Sequence, residues 1–408
     1  MRACLARSDF SNLDFVKKKE SHLELMDGAV RAIIEAIHAS PSQAVLYVTG
    51  GASQALGWLM SVPGASNTIL EVLVPYSRAS MAQLLGKVPT QFASRHTAEE
   101  LALLAYNRGT QLSKTGAPVI GLGFTGSLVG GQPKRGDHRF YLSTRTSNRL
   151  WTSEVTLSKG LRDREQEDKV SSCSVVSAVA DACGATSAPI SMLTESEVPY
   201  ECERIFNEDQ ELQQLIEGHI CMKIYPFMHD ENNSNSERKI ILSGSFNPLH
   251  EGHLKLLEVA SSMYPDAYPC FEISAVNADK PPLTVSQINE RVEQFKKVGK
   301  TVIISNQPYF YKKAELFPGS VFVIGADTAV RLIDPKYYGG VYERMVETLV
   351  GCKKDSCIFL VGGRNVNGVF KVLEDFPMPS ELKGLFVSIP EEKFRLDISS
   401  TEIREKLR

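Results

Sequence analysis

The chain has 408 residues, 43% of them apolar and 23% charged, and a net charge of −3. That length predicts about two domains, each large enough to bury a core. The near-neutral charge gives no electrostatic reason to expect nucleic acid or an anionic membrane as a partner, and no apolar run reaches membrane-spanning length. Residues 1–20 lack a signal-peptide core and acquire acids early, which predicts a cytoplasmic protein without a cleaved leader. The eight cysteines are scattered and fit reduced, mostly buried thiols; Cys352 and Cys357 are too weakly patterned for a zinc site.

In chain order, the pattern predicts a helix over 22–39, a short strand over 44–48 and a helix over 52–60. Thr49, Gly50 and Gly51 lie between that strand and helix. A second glycine-bearing loop, GFTGSLVGG at 123–131, follows the apolar segment 117–122. Each loop suits an anion held on backbone N–H groups, and ordinary tight turns explain each equally well. Residues 194–223 are acidic with helical patches around Leu212, Leu215 and Ile216, and 230–238 are polar without an apolar period. Together they predict a connecting segment and linker over 194–237, dividing a domain over 1–193 from one over 238–408.

Beyond the linker, buried strands are expected at 239–242, 271–276, 301–305, 321–325 and 357–361. A helix over 284–298 should open on a Thr284/Gln287 capping box. This alternation argues for an α/β architecture whose second domain is a doubly wound, Rossmann-like parallel sheet with its site at the carboxyl ends of the strands. The first of these strands runs into GSFNPLHEGH at 244–253. Gly244 allows a tight turn, Pro248 stiffens the loop, and the apolar residues from Leu254 onward suit a packed helix. Free N–H groups and the helix dipole converge at such a junction, so His250 and His253, three residues apart, are placed to donate to one phosphate chain. As metal ligands the pair lacks a third partner nearby, and no metal site is expected. Near the C-terminus, Ser399 and Glu402 form a capping box, which starts a helix there. Its N–H groups, the Ser400 and Thr401 hydroxyls and Arg404 one turn on can hold phosphate oxygens; a plain capped helix explains Ser399 and Glu402 but not Arg404.

GSFNPLHEGH resembles the nucleotidylyltransferase superfamily signature H-x-G-H, and its prefix Gly244-Ser245-Phe246-Asn247-Pro248 is similar to the nicotinamide or nicotinate mononucleotide adenylyltransferases. VFVIGADT, ending in Gly325-Ala326-Asp327-Thr328, is similar to that family's G-x-D segment, and DISSTEIR at 397–404 to its I-S-S-T-x-I-R signature. The R-T-x-G-I-S-T ending usual in cytidylyltransferases is absent. The resemblance implies transfer of AMP from ATP to a phosphorylated acceptor with release of pyrophosphate. It assigns His250, His253, Arg404 and Ser400 to the triphosphate and Asp327 to a nucleoside, with Mg²⁺ carried by ATP. Lys280 lies after the second strand, where it adds positive charge or is simply solvated. Nicotinamide, nicotinate and other phosphorylated acceptors all stay open, as does a non-catalytic nucleotide-binding or assembly role.

In the first half, LYVTGGASQALGWLMSVPGAS at 46–66, VPYSRASM at 74–81 and GFTGSLVGGQPKRGDHRFYL at 123–142 resemble three segments of the C-terminal amidase domain of the CinA family, which deamidates nicotinamide mononucleotide. Where that family has its serine nucleophile this chain has Tyr47; the preceding glutamate becomes Leu46, and the lysine position falls at Met81. A serine–lysine amidase needs a hydroxyl and a base beside it, and a phenol and a thioether cannot replace that pair. The resemblance therefore implies lost amidase chemistry. Thr49, Gly50, Gly51, Tyr76 and Gly126 remain as a ligand shell, while Ser53 and Ser77 are expected to cap or line turns. A structural role, or a homo-oligomer built on this half, needs no such shell.

Overall fold

The computed structural model describes residues 28–132, 134–185, 191–227, 238–278, 280–366, 369–395 and 400–406. Helix α1 (Gly28–Ala39) buries Val30, Ile33, Ile34 and Ile37, the stripe that a 3.6-residue period places on one face; expected helical residues 22–27 lie outside the described residues. There follow β1 (Gln43–Thr49), α2 (Ser53–Ser61), α3 (Ala65–Thr68), β2 (Ile69–Leu73), α4 (Arg78–Leu85) and α5 (Arg95–Leu112). The unit continues through β3 (Val119–Ser127), β4 (His138–Arg145), β5 (Arg149–Leu157), α6 (Arg164–Ala182) and β6 (Tyr200–Ile205). The six strands form one sheet in the order β2-β1-β3-β4-β5-β6, parallel where β1 meets β2 and β3 and antiparallel from β3 onward.

The expected loop at 123–131 is in part strand. β3 runs to Ser127, and its glycines serve packing: a Cβ on Gly121 would lie 2.1 Å from the Tyr106 backbone nitrogen, and one on Gly123 2.2 Å from the Ala98 carbonyl oxygen. Glycine is required there so that α5 can lie directly on the sheet.

Of the expected connecting segment, residues 200–225 contribute strands to both sheets, while the polar linker expected over 230–238 lies, but for Arg238, outside the described residues. β6 pairs antiparallel with β5 and ends the first sheet. After α7 (Glu208–Ile216), β7 (Met222–Tyr225) pairs antiparallel with a strand of the second sheet. Asn107 on α5 ties this stretch down, donating to the His219 carbonyl at 2.8 Å and accepting from the Cys221 N–H at 3.0 Å. Alternating apolar residues in 222–225 were too few to read as a strand without their partner.

The second unit comprises β8 (Lys239–Ser243), α8 (Glu251–Met263), β9 (Tyr268–Ser274), α9 (Val285–Lys297), β10 (Val302–Ser305), α10 (Phe310–Leu316), β11 (Val321–Gly325) and α11 (Ala326–Leu332). It ends with α12 (Tyr342–Lys354), β12 (Ile358–Gly362), the hairpin β13 (Arg364–Val366) and β14 (Val369–Lys371), β15 (Phe386–Ser388) and α13 (Ser400–Lys406). The sheet order is β15-β12-β11-β8-β9-β10-β7, parallel throughout except at β7. Ile240 and Leu242 of β8 join the core under α8 and α9, and Ile241 joins the core under α10 and α12. Both faces of the sheet are thus covered, as a parallel sheet requires. The strand order reverses between β8 and β11, so a crevice opens at their carboxyl ends. Thr284 caps α9 with the expected box to Gln287. Among the described residues no helix is long and apolar enough to cross a membrane.

Candidate active site

The loop from β8 to α8 lies at this crevice. The Gly244 N–H donates to the Glu272 carbonyl of β9 at 3.0 Å. Gly244 was expected to allow the tight turn; the left-handed residue of the loop is Phe246, at φ +43. Gly244 supplies room instead: a Cβ there would sit 2.9 Å from Cζ of the Phe246 ring. That ring is 1% exposed and stands edge-on to Phe271, Phe295 and His253 at centroid distances of 5.3, 5.2 and 4.9 Å.

His250 occupies the N-cap of α8 and His253 the third helical position, with their rings stacked at 3.6 Å. The His250 N–H donates to His253 Nδ1 at 3.3 Å. Burial, reinforced by neighbouring His250, pushes the His253 imidazole down to about 3, so it is neutral at physiological pH. With Nδ1 accepting, the proton of this neutral ring belongs on Nε2, making Nε2–H the donor.

The final helix reaches the same loop. The Ser400 hydroxyl donates to the Pro248 carbonyl at 3.0 Å, and Arg404 Nη1 donates to the Asn247 carbonyl. Two motifs about 150 residues apart in sequence thus meet on one turn. Ser399 and the side chain of Thr401 lie outside the described residues. Ser245 and Asn247 are exposed on the loop, and Lys280 is exposed beyond β9. Gly325, at the N-cap of α11, places Asp327 and Thr328 in that helix's first turn, at the carboxyl end of the strand beside β8.

Two features were not legible in the sequence. Gln294 of α9 grips the loop with both ends of its carboxamide, donating to the Phe246 carbonyl at 3.2 Å and accepting from the Leu249 N–H at 2.8 Å. Gln294 lies off the apolar stripe of Ile288, Val292 and Phe295, so no periodic signal singled it out. An aromatic cavity of ≈200 Å³, lined by Tyr309, Tyr311, Thr328, Arg331 and Tyr337 among others, opens between the residues that follow β10 and those that follow β11. Arg331 donates to the Thr328 hydroxyl at 3.2 Å, and among the described residues no carboxylate pairs with it.

In the first unit, Thr49, Gly50, Gly51 and Tyr76 line a cavity of ≈560 Å³; Thr49, Gly50 and Tyr76 also border one of ≈210 Å³, with Gly126 and Met81. Of the two readings of the first glycine loop, anion site or tight turn, the chain leaves the N–H groups of the following helix to its own Asp168. Asp168 of α6 accepts from the N–H groups of Ser53 and Gln54 at 3.1 and 3.2 Å and from the Ser53 hydroxyl at 2.9 Å. The Ala52 N–H goes to the Ser171 hydroxyl, and Thr49 donates to the Pro75 carbonyl. Gly50, at φ +78, and Gly126 are held by each other: a Cβ on Gly50 would lie 2.1 Å from the Gly126 carbonyl oxygen. Ser77 caps α4 by accepting from the Ser80 N–H. Tyr47 and Met81 are buried in one apolar cluster with Val45, Leu101 and Ala105. Burial, aided by Glu71, raises the Tyr47 phenol to about 12.

Residues 241–406 match the cytidylyltransferase-like family model. That match lies in the second unit and spans less than half of the chain. Solved structures similar to the chain include the competence/damage inducible protein CihA from Agrobacterium tumefaciens, at 18% identity over 40% of this chain and 95% of that one, with a TM-score of 0.29. A CinA-superfamily protein from Escherichia coli is 14% identical over 40% of this chain and 91% of its own, with a TM-score of 0.28. The nicotinic acid mononucleotide adenylyltransferase of Plasmodium falciparum, complexed with NaAD, is 18% identical over 41% of this chain and 82% of that one, with a TM-score of 0.27. No curated protein sequence matches the chain.

Proposed function

We propose that the second unit is an adenylyltransferase that joins AMP from Mg·ATP to a pyridine mononucleotide and releases pyrophosphate. The observation that carries this reading is the His250–His253 pair at the N-terminus of α8, with Ser400 and Arg404 docked on the same loop. An acceptor phosphate oxygen attacks the α-phosphorus of ATP, and the bond from that phosphorus to the oxygen bridging to the β-phosphorus breaks. The nucleophile is already anionic, so no general base is needed, and catalysis reduces to positioning and stabilising charge. The N–H groups of α8 and the neutral His253 donor suit the phosphate oxygens without adding a titrating charge. Mg²⁺ enters as part of the nucleotide substrate, since this ion usually takes few protein ligands. Purified full-length protein incubated with Mg·ATP and a panel of phosphorylated acceptors tests the reading by pyrophosphate release. Release with pyridine mononucleotides supports it, release only with another acceptor moves the assignment to that acceptor, and none with any removes the transferase reading.

The aromatic cavity supports a planar acceptor ring, and Arg331 at its side favours a ring bearing a carboxylate. We therefore assign nicotinate mononucleotide as the better acceptor. Hydrogen bonds to charged groups contribute about 1.5–3 kcal/mol, so Arg331→Gln should cost about 10–100-fold in kcat/KM for the nicotinate substrate. The nicotinamide substrate should change by less than about threefold. Equal losses for both acceptors would remove Arg331 from the specificity assignment.

For the first unit we propose that amidase chemistry is lost, because Tyr47 and Met81 fill the nucleophile and base positions with buried, unreactive groups. The full chain should release no ammonia from nicotinamide mononucleotide in a coupled assay. Sustained release would overturn this.

A further inference from the structure

The loop between β8 and α8 holds a conformation that its own residues do not favour. Phe246 is left-handed at φ +43, a strained conformation for a bulky residue that persists only where surrounding structure imposes it. The edge-on rings of Phe271, Phe295 and His253 lock the Phe246 side chain, but they do not hold the peptide group that follows it. That group is held from another element. Gln294 donates to the Phe246 carbonyl at 3.2 Å and accepts from the Leu249 N–H at 2.8 Å, so one carboxamide bridges the two ends of Phe246–Leu249. The next residue is His250, whose N–H is committed to His253 Nδ1. Any drift of the loop is therefore passed directly to both rings.

We infer that Gln294 is a positioning residue for the histidine pair: its carboxamide imposes the loop conformation that seats His250 at the helix N-cap and His253 against Phe246. Ser400 and Arg404 of α13 hold the intervening carbonyls of Pro248 and Asn247, whereas Gln294 stands part-buried on α9, a helix anchored in the core by Ile288, Val292 and Phe295. The geometric part of this inference is independent of the reaction; its effect on turnover rests on the adenylyl-transfer reading.

The test uses full-length Gln294→Met, which keeps side-chain length and removes both hydrogen bonds, and Gln294→Glu, which keeps the acceptor for Leu249 and loses the donor for Phe246. In the unaltered protein the His253 ring signals in NMR should stay those of a neutral imidazole down to about pH 3. In Gln294→Met the ring gains water and should titrate above about pH 5, toward the ordinary histidine range. Small misplacements of catalytic groups cost up to about 100-fold, so kcat for pyrophosphate release should fall about 10–100-fold while KM for ATP changes less than about threefold. Gln294→Glu should fall between the two. A folded Gln294→Met protein with unchanged His253 titration and unchanged kcat overturns the inference. Should that variant fail to fold, the same two readouts on Gln294→Glu decide. Absence of transferase activity in the unaltered protein removes the functional reading alone, and the titration then decides the positioning role.

Discussion

His253→Ala should lower adenylyl-transfer turnover by about 10²–10³-fold, the usual cost of deleting one charge-stabilising donor. The expectation rests on the Nε2–H of a ring kept neutral by burial and by His250. Removing the ring also removes the acceptor for the His250 N–H, so helix capping weakens, but the β8–α8 packing through Ile240, Leu242, Leu256 and Leu257 is untouched. The fold should therefore survive, with a circular dichroism spectrum like that of the parent. Because His253 is already neutral, its loss should lower kcat without shifting the pH profile between about pH 5 and 9. Turnover of the variant within about threefold of the parent would remove His253 from the catalytic assignment.

Glu272→Gln should destabilise the second unit by about 3–5 kcal/mol, the cost of breaking a buried ion pair by removing one partner. Glu272 is 0% exposed and accepts from Lys313 Nζ at 2.7 Å and from the Ser305 hydroxyl at 2.6 Å. Lys313 is itself 5% exposed, so the variant leaves an ammonium buried without its counter-charge. The double replacement Glu272→Met with Lys313→Met removes both charges and should cost much less than the sum of the two single changes. Urea unfolding of the full chain measures this, and a single-variant loss below about 1 kcal/mol would show that the pair is not effectively desolvated. The Glu272 carbonyl also accepts from the Gly244 N–H, so the same strand that carries the pair supports the start of the β8–α8 loop.

Much of the second unit was legible because its signals are local. Buried parallel strands read as continuous apolar runs, as at Ile240–Leu242 and Val321–Ile324. The capping of α9 is a four-residue pattern, and the histidines follow a strand directly. The first unit was less legible because its glycines are ambiguous in isolation. Gly123 looks like a loop residue, yet it is a strand residue placed, like Gly121, where α5 needs backbone contact. Asp168 lies 115 residues from Ser53, and no local pattern announces that it fills the helix terminus after the glycine loop. β7 is recognisable only through its pairing with β10.

By itself the sequence determined the doubly wound second unit and the histidine pair at a helix start. These depend on residue identity and on spacings of one to four residues, which secondary-structure geometry converts directly into position. Only the tertiary structure decided how the loop is held. It placed the left-handed residue of the loop at Phe246, brought Ser400 and Arg404 onto the carbonyls of Pro248 and Asn247, and assigned the bridging role to Gln294. Those contacts join residues far apart in the chain, and their partners are set by how α9 and α13 meet the β8–α8 loop, which no local pattern encodes.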